Sequence, residues 1–286
     1  MSVNGSGPTR PGPVISRPEG RTPGPGPLRY SIATLVNDHE QYEAMLNSLA
    51  LGGFDGADCE YLYIDNTTTN QACAYLGLNA ILNVARGKYV VLCHQDIRLL
   101  TETRNDLDAR LVELDALDSS WALAGNAGGV SPGVLAIRIT DPHGANQNTG
   151  NLPARVMSLD ENFIVVKRAA RIGFSTDLKG FHFYGADICL HGQIAGYTAY
   201  VIDFHLAHLS AGNKSTAFGI MEQDFRAKWE RALAPRWIQT TCSLVRLTGG
   251  SLGQIAGRLA EGPLTKIARR LPRAQRWKNS ETGATE

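Results

Sequence analysis

Polar side chains follow an apolar run at residues 89–93, and their types suit phosphate or metal chemistry. The run, YVVLC, ends abruptly in His94-Gln95-Asp96. An uninterrupted apolar run of this length suits a strand buried on both faces of a parallel sheet. Such a strand delivers the residues that follow it to the carboxyl edge of the sheet, where open α/β folds bind ligands. Asp96 could hold a metal ion against a phosphate there, and the alternative is that it only caps the following turn.

Two earlier loops should meet this one if the sheet is parallel. Asn37 follows a first apolar segment, and Asp65-Asn66 follows a second. Such a cluster suits a nucleoside diphosphate, with Asp65 accepting from the base or the ribose and Asp96 binding a hard divalent cation. Neither GxGxxG nor GxxxxGK[ST] occurs in these turns, so a metal is the natural substitute for a phosphate cradle of backbone amides.

Alternating strands and helices in the first hundred residues predict a βαβαβ unit with parallel strands and right-handed crossovers. The strands are predicted at 30–36, 60–64 and 88–100, and the helices at 40–50 and 70–84. Periodicity predicts further helices at 105–117, 187–195 and 221–231, strands at 121–127, 162–166 and 198–202, an edge strand at 134–139 and a mobile loop at 211–218.

Length and charge narrow the classes of function. The chain has 286 residues, of which 43% are hydrophobic, enough for one sizeable core. A net charge of +1 gives no general attraction to nucleic acid, so we expect no nucleic-acid partner. Five cysteines without a CxxC pair favour reduced thiols and a cytoplasmic setting. We expect neither a signal peptide nor a membrane span, because no stretch has the length and apolarity that either needs.

The two ends of the chain differ from its middle. Residues 1–28 are rich in Gly, Pro and Ser and are predicted to be disordered. Residues 29–245 are predicted to form the α/β domain. Residues 246–286 carry an apolar stripe opposite many Lys and Arg residues and predict a basic amphipathic helix pair, with Pro263 starting the second half. This pattern is typical either of attachment to an anionic membrane surface or of a helix with a solvated basic face.

Five stretches together, over roughly residues 30–214, resemble the family 2-type glycosyltransferases with the GT-A fold. They are YSIATLVND, YIDNTTTN with LNAILNVARGKYVVLCHQDI, LDENFIVVKR, FYGADICL and HLAHLSAGNK. Each motif alone is weakly specific, whereas the order and spacing of the five motifs together are more specific. The resemblance implies a Rossmann-like, mostly parallel sheet flanked by helices, followed here by the basic helical tail.

The resemblance also implies a donor site. Asp96 matches the last acid of the family's DxD metal motif, with His94 where the first acid would stand, which is a departure from the pattern. His208 matches a histidine that completes the metal shell, and His205 is its rival. The implied cofactor is a divalent cation, Mn²⁺ or Mg²⁺. The residues implied to contact the nucleotide sugar are Asn37, Asp65, Asn66, Asn79, Gln95 and Lys214.

On the acceptor side, the resemblance implies that Asp187 is the general base. Many members have a Glu-Asp pair at this point, and here Ala186 replaces the Glu. Asp187 could also be the N-cap of a helix. Asp160 and Glu161 are implied to contact acceptor hydroxyls, and a capping or solvated-turn role is the alternative.

The implied reaction is inverting transfer of a sugar from a nucleoside diphosphate sugar, with UDP the expected nucleotide. The implied acceptor is a glycan or a lipid-linked hydroxyl of a bacterial cell-surface pathway, met at the inner face of the membrane. Two alternatives come from other classes. One is a catalytically degenerate binder of nucleotide sugars or glycans, which the altered metal motif permits. The other is a nucleotidyltransferase, which the missing Gly-rich phosphate loop disfavours.

Overall fold

The computed structural model describes residues 12–212, 216–239 and 244–270. The chain divides into two compact units, residues 1–225 and 226–286, which are described separately. The helices are α1 (His39–Leu51), α2 (Ala74–Val84), α3 (Arg104–Leu117), α4 (Tyr184–Ile194), α5 (Thr216–Leu233) and α6 (Ser251–Arg270). The strands are β1 (Ile15–Ser16), β2 (Tyr30–Val36), β3 (Cys59–Asp65), β4 (Tyr89–Cys93), β5 (Ile97–Leu99), β6 (Trp121–Gly125), β7 (Ala127–Ser131), β8 (Val134–Asp141), β9 (Gly144–Thr149), β10 (Ala154–Val156), β11 (Ser158–Leu159), β12 (Phe163–Lys167), β13 (Thr198–Val201), β14 (Leu206–His208), β15 (Arg236–Gln239) and β16 (Leu244–Leu247).

The first unit is built on an eight-stranded sheet in the order β1-β3-β2-β4-β12-β6-β13-β10. The predicted α/β class, with a large sheet flanked by helices, is confirmed, and β2 pairs in parallel with both β3 and β4 as the βαβαβ pattern predicts. The sheet as a whole is mixed rather than mostly parallel, because β12 runs antiparallel to both β4 and β6. No crossover helix precedes β12, which follows directly after β11, and only parallel neighbours need such a crossover.

Helices cover both faces of this sheet and bury its core. The strands β2 and β4 are almost entirely buried, as their uninterrupted apolar runs predict. On one face, α1 contributes Met45 and Leu49, and α3 contributes Leu107 and Leu111. On the other face lie apolar side chains of α2 and α4. This packing holds the carboxyl ends of β2, β3 and β4 together at one edge.

A second sheet in the same unit has the order β11-β7-β8-β14-β5, with β9 paired to β8. The predicted strand over 88–100 is therefore two strands, β4 in the main sheet and β5 in the second. The chain changes sheets at residues 94–96. The predicted edge strand at 134–139 lies inside this sheet, because β8 has partners on both sides.

The N-terminal segment differs from the prediction of disorder over residues 1–28. Ile15 and Ser16 pair antiparallel with β3, and Leu28 is buried. The outer edge of β3 offers unpaired backbone groups that a short strand can satisfy. Residues 1–11 lie outside the described part of the chain.

The second unit contains α6 and the strands β15 and β16, which pair antiparallel. The predicted helix pair is one continuous helix, and Pro263 lies inside it rather than at the start of a second helix. Leu252 and Leu259 on α6 are 83% and 74% exposed. Among the described residues, none of the helices combines the length and the apolar character needed to cross a bilayer.

Candidate functional site

Three side chains that the sequence predicts as metal ligands meet where the two sheets join. His94 Nδ1 lies 3.2 Å from His208 Nε2, and His208 Nε2 lies 3.4 Å from Asp96 Oδ1. One ligand atom from each residue falls within 4.8 Å of the others. The structure therefore brings together residues that are 114 positions apart in the chain.

Backbone pairing fixes this cluster. His94 follows β4, and its N–H donates to the Asn162 carbonyl at 3.0 Å. His208 lies opposite Ile97 in the antiparallel β5–β14 pair, and the Leu209 N–H donates to the Asp96 carbonyl at 3.1 Å. His94 and Asp96 thus lie in a turn that backbone hydrogen bonds fix at both ends, and His208 ends β14, so the spacing of the cluster is held.

The pKa values of the three residues in this cluster are shifted in different ways. Burial alone would raise the pKa of Asp96, but the hydrogen bond and charge of His208, with Ser210, hold it well below the usual range. Burial opposes protonation of His208, yet its pKa is raised by the hydrogen bond and charge of Asp96. The pKa of His94 is lowered by burial and by the charge of His208. Asp96 is therefore an anion, and His94 a neutral imidazole.

The tautomer of His94 follows from its second partner. The Tyr184 hydroxyl donates to the Glu161 carbonyl at 3.1 Å and lies 2.8 Å from His94 Nε2. Its oxygen must accept from His94 Nε2–H, which leaves the lone pair of Nδ1 directed at His208. This arrangement is the one that orients metal-bound histidines. Two imidazoles and a carboxylate form a donor set for a divalent first-row transition metal, a class that includes Mn²⁺.

His205, the alternative to His208 as a metal ligand, points away from the cluster. Its Nε2 lies 2.9 Å from the Thr140 hydroxyl. The two histidines are three residues apart on an extended segment, so they point to opposite sides. His208 is the one that joins the cluster.

Asn37 and Gln95 form a bridge between the ends of β2 and β4. Gln95 Oε1 accepts from the backbone N–H groups of Asn37 and Asp38 at 2.9 and 3.1 Å, and its Nε2 donates to the Asn37 side chain. The bridge ties the start of α1 to the turn that carries Asp96.

Asp65 lies open at the end of β3. Its Oδ1 accepts from the Thr67 N–H at 2.9 Å and from the Thr67 hydroxyl at 2.6 Å, while Oδ2 lies 3.1 Å from His39 Nε2. These hydrogen bonds from Thr67 lower the pKa of Asp65. The side chain is 34% exposed, so an ionised acceptor faces solvent at the expected nucleotide side.

Two other predicted nucleotide contacts are used within the protein. Asn66 donates to the Ala72 carbonyl and accepts from the Gln71 N–H, each at 2.9 Å. Asn79 bonds both the carbonyl and the N–H of Phe174, at 2.9 and 2.8 Å. Both amides close or dock loops, which occupies the groups a ligand would need. Lys214 lies outside the described residues.

Asp187, the predicted general base, is fully buried, with 0% of its side chain exposed. Its Oδ2 accepts from the Ser175 N–H at 2.8 Å and its Oδ1 from the Ser175 hydroxyl at 2.6 Å. The alternative of an N-cap is wrong, because α4 begins at Tyr184 and the Asp187 N–H donates to the Phe183 carbonyl. As placed, the carboxylate anchors a loop and does not face an acceptor.

Asp160 and Glu161, the two predicted acceptor-side residues, lie in different environments. Asp160 Oδ1 accepts from the backbone and the side chain of Asn162 at 3.0 and 2.5 Å, which is the predicted capping alternative. Glu161 lies under the start of α4, with Oε1 3.4 Å from the Gly185 N. Burial and the charge of Asp160 raise the pKa of Glu161 to about 8.

Sequence reasoning missed three residues of this region: His39, His182 and Tyr184. His39 contacts Asp65, and His182 Nδ1 lies 4.0 Å from Glu161 Oε2. Their position in the sequence could have identified them, because each lies within a few residues of a predicted site residue.

No family model matches the chain. It is 34% identical over 229 residues to "ATP synthase subunits region ORF 6" of Fuscovulum blasticum, which covers 78% of this chain and 92% of that protein. That name gives a gene region and states no activity.

Solved structures show weaker likenesses. GalNAc-T7 with UDP, GalNAc and Mn²⁺ is 8% identical with a TM-score of 0.44, over 65% of this chain and 44% of that one. S. aureus TarS 1-349 in complex with UDP-GlcNAc is 12% identical with a TM-score of 0.44, over 65% and 60%. The chain spans less than two thirds of the length of these structures.

Proposed function

We propose that this chain, which belongs to the same family as ORF 6 of the ATP synthase subunits region of Fuscovulum blasticum, is a glycosyltransferase. It transfers a sugar from a nucleoside diphosphate sugar to a hydroxyl acceptor. The observation that carries the proposal is the cluster of His94, Asp96 and His208 at the carboxyl end of β4. Ligands of open α/β sheets bind at this edge. The motif resemblance to family 2-type glycosyltransferases supports the same reaction.

The donor lies across the ends of the parallel strands. Asp65, ionised and open, accepts from the base or the ribose of the nucleotide, with UDP the nucleotide we expect. His94, Asp96 and His208 hold a divalent cation, Mn²⁺ or Mg²⁺. When bound, the cation offsets the negative charge of the diphosphate. The bridge of Gln95 sets the position of this turn relative to β2.

The transfer is an in-line displacement. The acceptor oxygen approaches the anomeric carbon on the face opposite the diphosphate, so the configuration at that carbon inverts. A carboxylate takes the acceptor proton as the new bond forms. The acceptor we propose is a glycan or lipid-linked intermediate of cell-surface polysaccharide synthesis.

The exposed side chains of α6 support a site of action at the inner face of the membrane. Leu252, Ile255 and Leu259 are exposed, and Arg258 lies among them on the same helix. Apolar side chains that insert into the headgroup region, with cations beside them, attract a helix to anionic lipid by about 1 kcal/mol per basic residue.

Calorimetric titration of UDP, GDP, dTDP and CMP, each with and without Mn²⁺, tests the donor site. We expect one nucleotide to bind only with Mn²⁺, and H208Q to weaken this binding at least about tenfold, since loss of even a residue that orients a metal ligand costs about 10–100-fold in affinity. H205Q is the matched control, since His205 lies three residues away and contacts Thr140 instead. Equal binding by H208Q and wild type would contradict the metal site. Absence of binding for every nucleotide would contradict the transferase function.

A further inference from the structure

The proposed transfer needs a proton acceptor that an acceptor hydroxyl can reach. Asp187 does not meet this need, because its side chain is fully buried and both of its oxygens accept hydrogen bonds from Ser175. A general base must come within hydrogen-bond distance of the proton that it removes. The region therefore requires another group with a free oxygen at the surface.

Glu161 has the geometry that Asp187 lacks. Its side chain is 20% exposed, and it lies on the short segment that joins β11 to β12. Oε1 is 3.4 Å from the Gly185 N at the start of α4, and Oε2 is 4.0 Å from His182 Nδ1. One oxygen is thus positioned by the helix backbone, while the other faces a partly exposed imidazole at the site.

A hydrogen-bonded link connects the backbone of Glu161 to the cluster of His94, Asp96 and His208. The Tyr184 hydroxyl donates to the backbone carbonyl of Glu161 at 3.1 Å and contacts His94 Nε2 at 2.8 Å. Tyr184 itself opens α4, directly before Gly185. Glu161 is therefore held beside the donor site without being one of the cluster residues.

We infer that Glu161 is the general base of the transfer, an assignment that rests on the proposed glycosyltransferase function. The acceptor oxygen forms a bond to the anomeric carbon. The bond from that carbon to the diphosphate oxygen breaks, and its electron pair leaves with the diphosphate. The acceptor proton passes to a carboxylate oxygen of Glu161.

The surroundings of Glu161 predict how the reaction rate depends on pH. Burial and the negative charge of Asp160 raise its pKa to about 8, against the opposing effect of the N–H groups at the start of α4. His182, Tyr184 and, from α2, Tyr75 are the other titratable groups facing it. Below this pKa the carboxyl is mostly protonated and takes no proton. The rate should therefore rise about tenfold per pH unit up to pH 7 and level off above pH 8.

The test uses the full chain and Mn²⁺-dependent hydrolysis of UDP-glucose, UDP-galactose, UDP-GlcNAc and UDP-GalNAc, with water as the acceptor and UDP release as the readout. We expect E161Q to lower kcat by about 100-fold or more while UDP affinity stays unchanged. Gln keeps the shape and an oxygen for the Gly185 N–H, so folding should be retained. E161D, which keeps a carboxylate, should recover part of the rate.

A second variant makes the assignment specific. D160N removes the charge that adds to the effect of burial on the pKa of Glu161, so the midpoint of the pH profile should move to lower pH. If E161Q turns over as fast as the wild type, or if the rate of the wild type does not change between pH 6 and 9, Glu161 is not the general base. Either result would leave the glycosyltransferase function standing. Loss of UDP binding in E161Q would overturn the assignment of Glu161 as well, by placing Glu161 on the donor. If the wild type hydrolyses none of the donors, the glycosyltransferase function fails, and this role fails with it.

Discussion

Replacement of Asp187 by Asn should damage the stability of the protein more than its chemistry. The carboxylate is buried and accepts two hydrogen bonds from Ser175, at 2.8 Å from the N–H and 2.6 Å from the hydroxyl. Hydrogen bonds to a charged group contribute about 1.5–3 kcal/mol each to stability. Asn keeps one carbonyl oxygen and places an amide group in the position of the other. We therefore expect D187N to lower the free energy of unfolding by about 2–3 kcal/mol.

The companion variant S175A removes the hydroxyl partner of Asp187, which also lies 3.0 Å from His191 Nε2. It should cost about 1–2 kcal/mol, and the double variant should cost less than the sum by about 1 kcal/mol, because both changes remove the same contact. The control is D55N, an exposed carboxylate, which should stay within about 0.5 kcal/mol of the wild type.

Urea unfolding followed by circular dichroism measures these differences. With a slope of about 2 kcal/mol per M, D187N should shift the midpoint down by roughly 1 M. Turnover, measured at low temperature and corrected for the folded fraction, should remain within a few-fold of the wild type. A D187N protein that unfolds at the wild-type urea concentration but has lost turnover would refute the reasoning. It would restore Asp187 as the general base.

Three further perturbations follow from the structure. Y184F removes the hydroxyl that orients His94, so Mn²⁺ affinity measured by calorimetry should fall about 10-fold; an unchanged affinity would remove Tyr184 from the metal site. G87A places a Cβ 2.4 Å from the Ser31 backbone N, so the thermal midpoint in a calorimeter should drop by several degrees, and a wild-type midpoint would contradict this packing. Removal of residues 252–286 should abolish sedimentation with vesicles containing anionic lipid; equal binding by the shortened chain would exclude the α6 region as the anchor.

Local pattern was sufficient for β2, α1, β3, α2 and β4. Residues 30–36 form β2 with the predicted bounds, since an apolar run that stops at Asn37 leaves little choice of period or end. The break between β4 and β5 was not visible, because His94-Gln95-Asp96 is compatible with a strand end or a strand interior. That break is decided by pairing of β5 with β14, more than a hundred residues later.

The candidate site shows the same division between local and distant information. The resemblance identified His94, Asp96 and His208, and the structure gathers them. It did not distinguish amides that face a ligand from amides that hold the fold. Asn79 is the clearest case, because the Phe174 backbone that it bonds is 95 positions away. Burial of Asp187 depends on Ser175 in an irregular loop, and neither residue type signals such a contact.

The position of the cluster has a mechanical consequence. His94 belongs to the end of the main sheet, whereas His208 belongs to the second sheet, so an ion held by both is a cross-link between two sheets. An ion at a hundred times its dissociation constant would add about 2.7 kcal/mol to the folded state. Chelation should then loosen the second sheet before the first, and amide hydrogen exchange should accelerate in β14 and β8 while β2 stays protected. An ion that binds the donor diphosphate would therefore also stabilise the contact between the two sheets.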